Sequence, residues 1–164
     1  MSLSIRFNAI QRLLPLLAFI IMGCNEHKES DSSKQIEGII QENLTQMSKY
    51  AMKKEADSIL GMFDESDEIL LVGSDSSEVR HGKKEIGKLI KEVMAKPYII
   101  HWDFTGASIY TTENVAWAFS NKAIVLEDDK GGKITSPYRL TSVWVKRGSK
   151  WKLKLFNGSV PGKG

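Results

Sequence analysis

Asp103 stands between His101 and Thr105 at alternate positions, so on a strand all three share one face. A carboxylate buried there would have its pKa raised by desolvation toward the range useful to a general base. The same alternation also describes the solvated face of a strand, and the sequence leaves both readings open. Trp117 and Phe119 repeat the spacing with aromatic rings, which could wall an apolar pocket or fill a core. Near the end of the chain Trp151, Leu153 and Leu155 alternate with Lys152 and Lys154, which puts the first set, and with it Asn157, on the buried side of a strand. Asn157 is therefore a candidate pocket donor. One strand earlier, either Arg139 and Thr141 or Tyr138, Ser142 and Trp144 face inward. An inward Arg139 needs a carboxylate to offset its desolvation, and Asp103 could supply one. The three histidines, His27, His81 and His101, show no metal-ligand spacing, and the acidic turn at 64–68 lacks the spaced oxygen ligands and central glycine of a calcium loop. Neither a metal nor a cofactor is expected.

The single cysteine has a different chemistry. Arg6 and Arg12 precede an apolar run at residues 13–21, followed by Met22, Gly23 and Cys24. That order is a secretory signal, and the run is about half of the roughly 20 residues a spanning helix requires. Ile21-Met22-Gly23-Cys24 resembles a bacterial lipobox, in which the thiol is acylated and becomes the new amino terminus. Residues 1–23 are thus expected to be removed, Cys24 to anchor the chain in a membrane, and the polar stretch 24–34 to act as a flexible tether. Asn25 is not the aspartate that often retains such proteins at an inner membrane, so an outer membrane, facing the periplasm, is the expected site if the cell has one. The formal charge of +3 falls to +1 once Arg6 and Arg12 leave, and the lysines are dispersed. No nucleic-acid partner is expected.

These residues must be held by elements that the local patterns announce. Apolar residues at helical spacing run from Ile36 to Phe63, as one long helix or two. Residues 69–73 suit a short buried strand, and Gly82 opens a second helix that Pro97 ends. Beyond it lie four long strands, at 98–110, 114–126, 134–147 and 150–157, separated by turn chemistry at 112–113, 128–132 and 148–149. Helices first and a strand meander afterwards predict one α+β domain over residues 35–161, with the helices packed on a curved antiparallel sheet.

Three phrases in this order, Phe63-Asp64-Glu65-Ser66-Asp67-Glu68, Gly82-Lys83-Lys84-Glu85-Ile86 and Val115-Ala116-Trp117-Ala118, together with a tail from Thr141 through Trp144 and Trp151 to Ser159, resemble SnoaL-like domains of the nuclear transport factor 2-like superfamily. The resemblance implies a cone-shaped roll with a pocket at its open end, often paired into homodimers through the sheet. It implies little chemistry, because the superfamily hosts isomerases, cyclases, dehydratases, assembly modules and proteins without known activity. Relatives commonly carry imidazoles where this chain has Leu155 and Asn157, and kinase association domains carry arginines at the positions of Ser142 and Gly158. The functional expectations are a small, partly apolar ligand met by Trp117, Phe119, Arg139, Thr141 and Asn157; an acid/base enzyme of isomerase or dehydratase type using Asp103; or a dimerising assembly module.

Overall fold

The computed structural model describes residues 25–162, so the expected leader and Cys24 lie outside the described residues. Helix α1 (Asn25–Met52) already begins inside the stretch expected to be a tether. Its buried stripe is Ile36, Ile40, Leu44, Met47 and Ala51, spaced three or four apart. The apolar pattern does continue to Phe63, but as two helices. Lys54 adopts a left-handed φ of 57°, which no α-helix tolerates in its interior, and α2 (Ala56–Met62) starts anew beyond it.

Strands β1 (Leu70–Val72) and β2 (Val79–His81) form a hairpin ahead of α3 (Gly82–Met94). Gly82 takes a φ of 72°, a conformation nearly reserved for glycine, and so permits the abrupt change from strand to helix. The remaining strands are β3 (Tyr98–Trp102), β4 (Ser108–Thr111), β5 (Val115–Asp128), β6 (Lys133–Arg147) and β7 (Lys150–Ser159). What reads in the sequence as one strand at 98–110 is two, divided by a turn with Gly106 at φ 68°. The sheet runs β2-β1-β7-β6-β5-β3, with β4 also paired to β5. It is mixed rather than wholly antiparallel, because β1 lies parallel to β7. The result is the expected α+β cone, with helices packed on a strongly curled sheet.

Small and large residues face one another across the inner side of the sheet. Trp144, fully buried, pairs across β6 with Ala116 on one side and Leu153 on the other. Ser142, also fully buried, sits between Ala118 and Phe156 and accepts the Trp144 indole N–H at 3.0 Å. A buried hydroxyl and a buried indole thereby satisfy each other. From α1, Ser48 Oγ donates to the Trp102 carbonyl at 2.8 Å and Gln41 Nε2 donates to the Phe104 carbonyl at 3.0 Å. These two bonds fix the end of β3 against the helix.

Candidate functional site

α1, α2 and α3 close over one end of the sheet, leaving a cavity of about 210 Å³. Its walls are apolar, with Met47, Phe63, Ile90, Ile100, Ile124 and Phe156 among them. Exposed Ser74 and Val160 mark its mouth. Polar groups are few: Tyr98, Tyr138, Trp102, Ser136, Ser74 and Glu78. An apolar enclosure with a few placed polar groups is the usual form of a small-molecule site.

Trp102 is held between aromatic neighbours, with ring centroids 5.9 Å from both Phe104 and Phe156. Its indole N–H is buried beside the Tyr138 phenol yet lacks a hydrogen-bond partner of good geometry. Such an orphaned donor is uncommon and costly. Burial, and then the negative charge of Glu78, push the Tyr138 hydroxyl well above the usual phenol range. Tyr138 is therefore a neutral donor at any physiological pH.

The residues singled out in the sequence are brought together, but elsewhere. In the register of the sheet Trp117 pairs with Val143, and Val143 with Leu155; Phe119 pairs with Thr141, and Thr141 with Asn157. Tyr110 extends the first of these rows and stacks on Trp117 with centroids 5.7 Å apart. Both rows lie on the outer face of the sheet, opposite α1, where Trp117 and Phe119 are each 42% exposed. Arg139 lies on the same face, so of the two alternatives for β6 the structure selects Tyr138, Ser142 and Trp144 as inward. Asn157 is exposed rather than buried because period two is interrupted. Trp144 pairs with Leu153 while Val143 pairs with Leu155, which leaves Lys154 as the extra residue of a β-bulge and turns Phe156 and Gly158 inward instead. None of Trp117, Phe119, Arg139, Thr141 and Asn157 lines the cavity.

Asp103 is likewise exposed, in the turn between β3 and β4. Its carboxylate accepts the Thr105 backbone N–H at 2.9 Å, and this bond lowers its pKa. A general base needs the opposite shift. His101 Nε2 lies 3.0 Å from Glu127 Oε2, not against Asp103. Among the described residues no group of three or more His, Cys, Asp or Glu side chains is placed to hold a metal ion.

The sequence reading missed Trp102 and Glu78. Trp102 was legible: Ile100, Trp102 and Phe104 form the apolar parity of the segment that carries His101, Asp103 and Thr105 on the other. Glu78 carries no local signal, since it is one acid in a polar loop and only the curl of the sheet brings it to the cavity.

The sequence model for the SnoaL-like domain matches residues 40–163. No curated protein matches the chain. Among solved structures, a Streptomyces avermitilis protein of the nuclear transport factor 2-like family, provisionally named a dehydratase, superposes with a TM-score of 0.70 at 14% identity, covering 79% of this chain and 99% of that one. A nuclear transport factor 2-like superfamily protein from Salmonella enterica gives 0.64 at 18% identity, covering 82% and 94%. A nuclear transport factor 2-like protein with a cystatin-like fold from Novosphingobium aromaticivorans gives 0.66 at 11%, covering 86% and 93%. At such identities the likeness concerns the fold alone.

Proposed function

We propose, starting from the fact that this chain belongs to the SnoaL-like domain family, that it is an exported, lipid-anchored protein binding a small, partly apolar molecule in the cavity between helices and sheet. The fold suits a ligand-binding domain and also a dehydratase- or isomerase-type domain. The observation that carries the binding reading is the cavity itself, about 210 Å³ of apolar space with a buried, unpartnered indole N–H in its wall. An engineered apolar cavity of about 150 Å³ takes up benzene, so this one has room for a ring with a short substituent. Asp103, outside the cavity, does not carry the acid/base alternative.

A panel of single-ring compounds screened by thermal shift tests this. A ligand present at about a hundred times its Kd adds about 2.7 kcal/mol, which for a domain of this size is a rise in Tm of several degrees. Ile124→Trp fills the cavity, and the rise is expected to vanish in that variant. A flat response across the panel, or an equal rise in the filled variant, removes the reading.

The anchoring rests on the Arg6, Arg12 and apolar leader ending at Gly23-Cys24. Cys24→Ser is expected to move the protein from the membrane fraction to the soluble fraction, and a variant that stays membrane-bound would count against acylation at this thiol.

A second reading, self-association, is favoured by one specific observation. Tyr110, Val115, Trp117 and Phe119 are exposed on the outer face, at 55%, 37%, 42% and 42%. Apolar surface of this kind on a sheet is typical of an interface between copies. Sedimentation of the wild type is expected to show dimers that Trp117→Glu dissociates; a purely monomeric wild type at high concentration excludes it.

A further inference from the structure

Among the residues lining the cavity a single side chain is charged, and it is Glu78; no lysine, arginine or histidine faces the space. A carboxylate at the edge of a low-dielectric enclosure repels an anionic ligand and attracts a cationic one more strongly than it would in water. Two positions without a Cβ make room for the polar groups. A Cβ at Gly73 would overlap the Glu78 carboxylate and stand 2.6 Å from its Cβ, and one at Gly158 would overlap the Tyr138 hydroxyl and stand 2.6 Å from its Cζ. The carboxylate also accepts the Asp75 backbone N–H at 3.3 Å through Oε2, a long bond that steadies the loop and leaves Oε1 unclaimed. Tyr138, neutral, has one proton to donate. The neighbouring Trp102 N–H, itself without a partner, is a second donor for an acceptor in the cavity.

We propose that the cavity selects a compact ring-bearing amine: the ring against Ile124, Leu126 and Phe156, a hydroxyl or carbonyl oxygen accepting from Tyr138, and the ammonium facing Glu78, with carboxylates and phosphates excluded. This selectivity rests on the reading that the cavity is a ligand site, and its test separates the two.

Calorimetric titration at neutral pH compares 4-ethylphenol, which carries no head group, with tyramine and 4-hydroxyphenylacetate, which place an ammonium or a carboxylate on the same ring. Tyramine is expected to bind about tenfold more tightly than 4-ethylphenol, and the acid about tenfold more weakly. Glu78→Gln is expected to bring the three affinities to within about threefold of one another while leaving that of 4-ethylphenol unchanged. Tyr138→Phe is expected to weaken tyramine and 4-ethylphenol alike, by about fivefold. Equal binding of amine and acid, tighter binding of the acid, or a preference that survives Glu78→Gln overturns the selectivity and leaves the ligand site standing. Absence of binding by all three compounds overturns both.

Discussion

Gly158→Ala is expected to destabilise the protein by about 2 to 3 kcal/mol, against the usual sign for this substitution. In a strand interior glycine is the poorer residue, because it loses more backbone entropy and packs nothing, so alanine should be neutral or better. Here the space is occupied. Gly158 pairs with Leu140 on the inner face of β7, and the Tyr138 ring lies over its Cα so closely that a methyl group would overlap the hydroxyl. The hydroxyl end of the buried Tyr138 ring fills the space, with the edge of Phe156 3.3 Å away, so the methyl group fits only if the Tyr138 ring turns aside. Tyr138 must move into the cavity, where it takes the place of a ligand. Urea midpoints measured in a double-mutant cycle decide the matter: the cost should largely disappear when Tyr138→Ala is already present. An equal cost in both backgrounds would mean that the glycine matters for another reason. Binding of any cavity ligand should fall with the single variant, since the displaced ring fills the site.

The second large effect concerns Asp64, which is 4% exposed yet charged. Its carboxylate accepts two bonds from Arg147, from Nε at 3.0 Å and Nη2 at 2.8 Å, and Lys154 Nζ stands 4.0 Å away. Its backbone N–H donates to the Leu153 carbonyl at 2.9 Å, so one residue ties the end of α2 to the β6–β7 hairpin that frames the cavity. The hydrogen bonds from Arg147, outweighing the desolvation that opposes them, hold the pKa down to about 2. A carboxyl depressed in the folded state contributes stability above its unfolded pKa, near 4, and that contribution is lost as the pH falls from about 4 toward 2. The full shift corresponds to about 2 kcal/mol, an upper figure because the Arg147 side chain is 52% exposed and screened by solvent. Asp64→Asn keeps the shape and removes the charge. It is expected to be less stable than the wild type at pH 7 by up to about that amount, with the gap closing between pH 4 and 2. Denaturation curves for the two proteins that run parallel through that window would show that the pair contributes nothing to folding.

Much of the architecture is written in local chemistry. The start of α3 at Gly82 and its end before Pro97, the turn at 128–132 and the Gly148-Ser149 turn between β6 and β7 are set by residues whose backbone preferences act within a few positions. So are the inward Trp151 and Leu153, ahead of any interruption. What local chemistry could not decide is which side of a strand meets the helices, because that depends on partners distant in the chain. The bulge at Lys154 reverses the parity of β7 and carries Asn157 outward; the pairing of β5 with β6 puts Trp117, Phe119 and Thr141 on the same outer face; and the turn at 103–107 leaves Asp103 in solvent while Trp102 points in. Glu78 and Tyr138 lie sixty positions apart and share a cavity because the sheet curls and β1 runs parallel to β7. The sequence by itself determined the elements and their order, since those follow from periodicity and turn residues. Only the tertiary structure decided which side chains face the cavity, because strand register and sheet curvature are set by pairing between distant segments.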